Sequence, residues 1–170
     1  MRSIRIEAGM SETHNIVLEA KNLAVTFKVE GGQVEAVRNV NFALCKGETI
    51  AIVGESGSGK SVTARAIMRL LSRRASIGKG SSITLNGRDV VQLNENEMRK
   101  LRGSRVSMIF QEPMTSLNPS FTVGAQIAEV IRIHNRISAE EAMARAQTLL
   151  EEGQIPEPDA RQKQDPPQLT

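Results

Sequence analysis

The sequence predicts an α/β fold, and three adjoining segments in the first half of the chain predict it. Residues 50–53 form an apolar run that is typical of a strand. The run is followed by Gly54-Glu55-Ser56-Gly57-Ser58-Gly59-Lys60-Ser61, which has the pattern G-x-x-x-x-G-K-S. Apolar residues then recur at helical spacing over residues 62–71. A glycine-rich loop therefore joins a predicted strand to a predicted helix.

This loop has the composition of a phosphate-binding site. Glycines allow consecutive backbone N–H groups to turn inward and form an anion-binding nest. The helix that follows, which includes Val62, adds unpaired amides and the positive end of its dipole. Lys60 supplies a positive charge for the β- and γ-phosphates, and the Ser61 hydroxyl can bind a bridging magnesium ion. The sequence thus predicts nucleotide binding by residues 54–62. A glycine–serine linker without a ligand is the weaker alternative, because the strand and the helix flank the loop as the motif requires.

Length and composition narrow the possible classes of protein. The 170 residues suggest one domain or part of a larger one, and 39% of them are apolar. The net charge of +3 is spread along the chain and does not indicate a nucleic-acid partner. The single cysteine, Cys45, cannot form an internal disulfide, which fits a reducing cytosol. No apolar run approaches the ~20 residues of a membrane span, so a role at a membrane would need a partner protein.

Several strands are predicted around the loop. Two extended runs, residues 17–29 and 34–44, are separated by Gly31-Gly32 and predict a pair of strands. Residues 83–85 followed by Asn86-Gly87 predict a hairpin. Residues 49–53 and 106–110 are continuous apolar runs, which predict strands covered on both faces.

The predicted helices of the second half have start signals. Asn94 with Glu97 and Ser138 with Glu141 have the spacing of capping pairs. The helix after Ser138 is predicted to end at Gly153, and its apolar stripe is Ala139, Ala142, Met143, Ala146, Leu149 and Leu150. A further helical stripe consists of Val123, Ile127, Val130 and Ile131.

A second motif begins where the predicted strand 106–110 ends. Gln111 is followed by Glu112-Pro113-Met114-Thr115-Ser116-Leu117-Asn118-Pro119. A carboxamide at this place can accept a hydrogen bond from water and coordinate a cation through its oxygen. Together with the glycine loop and with residues 36–42 before Gly47-Glu48, this motif resembles the ATP-binding cassette (ABC) transporter ATPases. The likeness is to the ATP-binding subunits of dipeptide, oligopeptide, nickel and glutathione importers, above all the last, and it covers residues 16–169.

The resemblance implies the N-terminal part of a P-loop NTPase fold of the ABC ATPase type. An antiparallel β subdomain and the start of a helical subdomain would accompany the nucleotide-binding core. The expected divisions are a flexible extension over 1–15, an incomplete core over 16–122, helical residues 123–155 and a polar, proline-rich tail over 156–170.

The resemblance also implies ligands, roles and partners. ATP and Mg²⁺ would bind at residues 54–62, with Lys60 and Gln111 as catalytic residues and Ser61 and Gln111 as metal ligands. Phe27 would either stack on adenine or fill the core of its strand. Residues 112–121 would face the transmembrane permease subunits, with a second ATP-binding subunit as a further partner and a periplasmic solute-binding protein as an indirect one. The protein would be cytoplasmic, peripheral on the inner membrane.

Other motifs of the family are not found in this sequence. The Leu-Ser-Gly-Gly signature and the Walker B aspartate with its catalytic glutamate are absent, and the chain reads Pro166-Pro167-Gln168-Leu169-Thr170 where the signature is expected. We therefore expect a truncated product, a fragment or a decayed copy that hydrolyses ATP very slowly. Without further strands, residues 49–53 and 106–110 would expose apolar faces. The alternatives are a non-hydrolysing module that binds ATP or a partner, and a kinase or GTPase, in which residues 111–119 would have no role.

Overall fold

Two long strands form the centre of the fold in the first half of the chain. The structure is a computed structural model that describes residues 5–7, 15–111 and 116–169. Strand β2 (Ile16–Val29) pairs antiparallel with β3 (Gly32–Cys45). The turn between them contains Gly31, whose φ of +84° lies in the left-handed region that favours glycine. The predicted pair of strands is therefore confirmed.

Strand β2 is the central strand of a five-stranded antiparallel sheet. On one side it pairs with β3, and on the other it pairs with two short strands in succession, β5 (Ala75–Ile77) and β6 (Ser82–Leu85). Strand β6 continues through Asn86-Gly87 into β7 (Arg88–Asp89), which confirms the predicted hairpin. Strand β5 was not predicted, because three residues are too few to show a period.

One face of this sheet is covered by the helix that follows the glycine loop. Helix α1 (Lys60–Ile67) contacts β2 and β3, and α2 (Glu95–Leu101) follows β7 in the chain. The predicted capping pair of α2 is confirmed, since the Asn94 and Glu97 side chains cap each other's backbone amides. The largest fully buried apolar side chains of this region are Leu23, Ile83, Met98, Val25, Val37 and Val90.

The strand before the glycine loop is less buried than its sequence predicts. Strand β4 (Ala51–Val53) pairs antiparallel with β1 (Arg5–Glu7), three residues of the predicted N-terminal extension. Val53 is 48% exposed. The prediction of a strand covered on both faces is wrong, because Ala51 and Val53, which share one face of β4, are both exposed. The predicted exposure of its apolar side chains is confirmed.

The second predicted buried strand, over residues 106–110, does not form. No ladder pairs this segment with another described strand, and its backbone is irregular over residues 107–110. Ile109 is 94% exposed and Phe110 is 42% exposed. A continuous apolar run becomes a buried strand only when neighbours supply hydrogen bonds and cover its faces. The expectation that residues 106–110 expose apolar side chains is therefore confirmed.

The chain divides into two compact units, Met1–Arg102 and Gly103–Thr170, and the second is helical. Helix α3 (Val123–His134) packs on α4 (Ala139–Glu152) through a small core of Ala128, Ala142 and Ala146. The capping box and the Gly153 end of α4 are confirmed. Val130, Met143 and Leu149 were predicted to face the core but are exposed, because alanines bring the two helices together along a narrower stripe.

The proline-rich residues after α4 also fold. They form the short helix α5 (Pro158–Arg161) and a 3-10 turn at Pro166–Leu169. The carbonyl oxygens of Gln164 and Gln162 accept hydrogen bonds from the first two amides of α3, those of Val123 at 3.0 Å and Gly124 at 2.8 Å. These bonds pair amides that a helix start otherwise leaves without partners. Over the ranges that the structure describes, no helix has both the length and the apolar character needed to cross a bilayer.

Candidate functional site

The glycine loop joins β4 to α1, as the sequence predicts. Gly57 and Gly59 have φ angles of +76° and +100°, in the left-handed region. A residue with a side chain is strained in this region, whereas glycine adopts it without cost. The loop can therefore turn sharply twice within three residues and direct consecutive amides toward the same side.

Gly59 also lies unusually close to strand β3. A Cβ atom on Gly59 would stand 2.5 Å from the carbonyl oxygen of Ala36 and 3.3 Å from Cγ2 of Val37. The nearer contact is with backbone, which cannot rotate away as a side chain can. The loop thus rests directly on β3, and only glycine fits at this position.

Helix α1 begins with amides that its own turn does not pair. Gly59 is the N-cap and has no side chain to accept a hydrogen bond. The first intrahelical bond joins the Thr63 amide to the Gly59 carbonyl at 2.8 Å, so the amides of Lys60, Ser61 and Val62 precede it. Three N–H groups and the positive end of the dipole therefore meet where the loop turns into the helix.

The Lys60 side chain folds back over the loop. Its ammonium donates to the carbonyl oxygens of Gly54 at 2.7 Å and Glu55 at 2.8 Å. These two bonds use two of the three N–H donors of the group. The positive charge is thereby held over the mouth of the loop by contacts that an incoming anion can replace.

Ser58 contributes a buried polar atom at the bend of the loop. Its side chain is 7% exposed, and the hydroxyl oxygen has no hydrogen-bond partner among the described residues. A buried hydroxyl left unpaired costs about 1–3 kcal/mol. Ser61, in contrast, is exposed on the first turn of α1.

The other end of α1 is fixed by two arginines. The Arg102 guanidinium donates to the carbonyl oxygens of Met68 at 2.9 Å and Arg69 at 3.2 Å. It also pairs with Glu95 at 2.5 Å. The side chain of Arg69 donates to the carbonyl oxygens of Val90 and Leu93. A cation at the C-terminal end of a helix interacts favourably with the dipole, so these contacts hold the loop's helix in place.

The remaining predicted site residues lie outside the loop. Phe27 is half-buried on β2, and its ladder partners are Val34 of β3 and Ala75 of β5. This position is compatible both with stacking on adenine and with filling the core of the strand. Gln111 is exposed and belongs to the second unit. Residues 112–115 of the predicted permease-facing segment lie outside the described residues. Nucleotide contacts for Phe27 and Gln111 stay predictions.

Two contributors to the loop were missed from the sequence. The carbonyl of Ala36 sets the close approach of Gly59, and the buried Thr63 hydroxyl donates to the Gly59 carbonyl at 3.0 Å. A backbone carbonyl on a distant strand has no sequence signal. Thr63 could have been found from its place one turn after Gly59, because threonine hydroxyls often bond the carbonyl four residues earlier.

A family model and individual relatives both place this chain among the ABC transporter proteins. Residues 37–170 match the ABC transporter family. The oligopeptide transport ATP-binding protein OppD of Bacillus subtilis is 54% identical over 150 residues, which are 88% of this chain and 42% of that protein. The glutathione import ATP-binding protein GsiA of Salmonella choleraesuis is 52% identical over 159 residues, which are 91% of this chain and 26% of that protein. The chain therefore spans less than half the length of these curated relatives.

A solved structure supports the fold. The dimeric post-hydrolysis state of the ATP-binding cassette MJ0796, bound to ADP and Pi, matches with a TM-score of 0.75 and 24% identity. The match covers 90% of this chain and 63% of that one. At this identity the likeness concerns the fold, and it agrees with the N-terminal part of an ABC ATPase predicted from the sequence.

Proposed function

Because this chain belongs to the ABC transporter family, we propose that it is the nucleotide-binding part of an ATP-binding subunit that drives an importer. The transported solute is a peptide or a related small molecule such as glutathione. The names of relatives that are 54% and 52% identical support this assignment. The observation that carries the proposal is the glycine loop between β4 and α1, with its left-handed glycines, the Lys60 ammonium held over it and the amides at the start of α1.

The loop suits the phosphates of ATP in three respects. The left-handed φ angles of Gly57 and Gly59 allow consecutive backbone amides to turn toward a ligand. The amides of Lys60, Ser61 and Val62 precede the first intrahelical bond of α1 and are available to an anion. The Lys60 ammonium can exchange its two carbonyl partners for phosphate oxygens, because a charged acceptor forms the stronger bond.

Each residue of the proposed site has a separate role in binding. Amides over residues 54–62 would hold the phosphates, Lys60 would neutralise charge at the β- and γ-positions, and the Ser61 hydroxyl would hold Mg²⁺. Mg²⁺ supplies neutralisation of the charge that develops on the phosphate oxygens. Gln111 would orient water and the metal, and Phe27 would stack on adenine. These roles for Gln111 and Phe27 follow from the family pattern and the positions of the two residues in the sequence.

ATP turnover needs groups that these 170 residues do not contain. The sequence has no Leu-Ser-Gly-Gly run and no acidic pair after an apolar strand in its second half. In-line attack by water requires a positioned nucleophile and a metal held from both sides. We therefore expect a polypeptide of these residues to bind ATP and to release phosphate very slowly. A non-hydrolysing module that binds ATP or a partner is the alternative function.

The proposed partners are permease subunits and a second ATP-binding subunit. The segment after Gln111 would contact the permease, and the exposed side chains of Ile109 and Phe110 lie directly before it. The subunit would work at the cytoplasmic face of the inner membrane, with a periplasmic solute-binding protein as an indirect partner.

Nucleotide binding is tested by thermal unfolding of the wild-type chain and of Lys60→Ala with Mg²⁺ and ATP. ATP at 100 times its Kd should stabilise the wild type by about 2.7 kcal/mol, and Lys60→Ala should lose this gain. Lys79→Ala, which changes an exposed lysine outside the loop, should keep it. A folded wild-type chain without an ATP-dependent shift would refute the proposal.

Two further measurements separate the alternatives. Phosphate release at the rate of an intact homologue would eliminate the non-hydrolysing module and would also contradict the very slow release expected of these residues. A preference for GTP over ATP in competition would instead favour a GTPase.

A further inference from the structure

Strand β3 has an extra residue between two of its buried valines. Val37 and Val40 of β3 pair with Val25 and Leu23 of β2. Only one residue of β2 lies between these pairs, whereas β3 has two, the second of which is Asn39. An excess of one residue is a β-bulge, which bends the strand that contains it. The bend lies beside the part of β3 on which the glycine loop rests.

Asn39 and Asn41 hold the bulge in place. The φ angle of Asn39 is +46°, in the left-handed region that asparagine tolerates better than most residues with a side chain. The Asn41 carboxamide donates to the Asn39 carbonyl at 3.0 Å and accepts from the Asn22 amide of β2 at 2.8 Å. One side chain therefore ties the bulge to the neighbouring strand.

The bulge keeps both valines on the same side of β3. In a regular strand, residues three positions apart point to opposite faces. Val37 and Val40 are three positions apart, yet both are buried, with exposed fractions of 1% and 8%. The extra residue accounts for this burial, because it shifts the alternation of side chains by one position.

Val37 borders the glycine loop. The three atoms nearest to a Cβ placed on Gly59 belong to Ala36 and Val37, and the Val37 Cγ2 methyl lies 3.3 Å from that position. Val40 supplies none of these atoms. Gly59 is the N-cap of α1 and directly precedes the amides of residues 60–62. Val37 therefore lies beside the residue from which the proposed phosphate-binding amides continue.

We propose that Val37 is a positioning residue for nucleotide binding by the glycine loop. Val37 is buried and acts through Gly59, because its methyl groups fill the space into which the loop could otherwise shift. The amides of residues 60–62 thereby keep one arrangement. Without the methyl groups this arrangement is only partly populated, and the apparent Kd rises in inverse proportion to the populated fraction. The inference rests on the proposed function, since it concerns the affinity of this loop for ATP.

The test compares Val37→Ala with its matched control Val40→Ala, which removes the same two methyl groups from a buried valine of the same strand. Both variants should lower the urea midpoint, because each leaves a cavity. The Kd for ATP is then measured with Mg²⁺ at a temperature where circular dichroism shows both variants to be folded. Val37→Ala should raise this Kd at least about fivefold, as expected when the competent fraction falls to about one fifth.

The control and a conservative variant separate positioning from general stability. Val40→Ala should keep the Kd within about twofold of the wild type, because sites that share no contact do not couple. Val37→Ile keeps the branched side chain and should bind ATP as the wild type does. An unchanged Kd in Val37→Ala, or an equal loss of affinity in the two alanine variants, would overturn the inference. A folded wild-type chain that does not bind ATP would refute the proposed function, and the inference with it.

Methyl NMR of the wild-type chain gives a test that does not depend on how well the variants fold. Nuclear Overhauser contacts should connect the Val37 methyl groups to the α-protons of Gly59. Addition of ATP and Mg²⁺ should shift the Val37 methyl resonances more than those of Val40. Absence of the contacts, or equal shifts at the two valines when ATP binds, would overturn the inference.

Discussion

The α-carbon of Gly59 faces the carbonyl oxygen of Ala36 so closely that a Cβ atom would stand 2.5 Å from that oxygen. The contact joins the glycine loop to the sheet through backbone alone. Any larger residue must displace either β3 or the start of α1. A substitution at Gly59 therefore tests whether the loop contacts β3.

Gly59→Ala should destabilise the first unit by about 1–3 kcal/mol, because it adds a left-handed alanine and a clash with backbone. Urea unfolding measures the effect. The control is Gly80→Ala, where a Cβ would meet nothing within 4 Å, and its stability should change by less than about 1 kcal/mol. Equal stabilities for the two variants would contradict the predicted contact.

The ion pair between Glu95 and Arg102 should make stability depend on pH. The hydrogen bond from Arg102 lowers the pKa of Glu95 below its usual 4.5. A lowered pKa in the folded state means that the pair stabilises the fold above the unfolded pKa. This contribution is lost as the pH falls through the folded pKa. Glu95→Gln should therefore lower the urea midpoint at pH 7 and lower it less at pH 3.

The control for this prediction is Glu140→Gln. Glu140 lies in the first turn of α4 as Glu95 lies in the first turn of α2, so both substitutions remove the same interaction with a helix dipole. Only Glu95→Gln removes the pair with Arg102. A deficit for Glu95→Gln that is the same at pH 7 and pH 3 would show that the ion pair does not contribute.

The capping box of α4 should contribute measurably to the second unit. The Ser138 hydroxyl accepts from the Glu141 amide at 3.1 Å, and Ser138→Ala should cost about 1 kcal/mol in thermal or urea unfolding. Thr148→Ala is the control, because the Thr148 hydroxyl only bonds a carbonyl of its own helix and the change should stay within about 0.5 kcal/mol. A larger loss for Thr148→Ala would show that the cap is not the determinant.

Gly124→Ala should destabilise α3 although helix propensity alone predicts a gain of about 1 kcal/mol. A Cβ at Gly124 would lie 2.8 Å from the carbonyl oxygen of Gln162. The segment of Gln162 and Gln164 would have to move, and the bonds to the Val123 and Gly124 amides would weaken. Faster exchange of these two amides and a lower melting temperature are the expected results. A more stable variant would mean that the segment of Gln162 and Gln164 can move away from residue 124 without a loss of stability.

Local patterns predicted the parts of the fold that depend on neighbouring residues in the sequence. The glycine loop, the Asn86-Gly87 hairpin and the capping box at Ser138 are all set within a few residues, and each is observed. Residues 106–110 show the limit of such patterns, because an apolar run becomes a strand only when another strand pairs with it. The side chain of Gln126 shows another limit, since its three partners are backbone groups that no sequence pattern marks.

The candidate site was also predictable only in its local part. The residues of the loop follow from one motif, whereas the supporting contacts of Ala36 and Arg102 depend on how distant segments pack. The apolar run over residues 49–53 by itself predicts burial, whereas Val53 is 48% exposed, because burial depends on what packs against each face of the strand.

The carbonyls of Gln162 and Gln164 that cap α3 set an order of events during synthesis. Val123 leaves the ribosome about 40 residues before Gln164, which at a usual elongation rate is roughly 2–8 s. During that interval the start of α3 has none of its backbone partners from beyond α4. The hydrogen bonding of the first turn of α3 is therefore completed only after α4 and α5 have been synthesised.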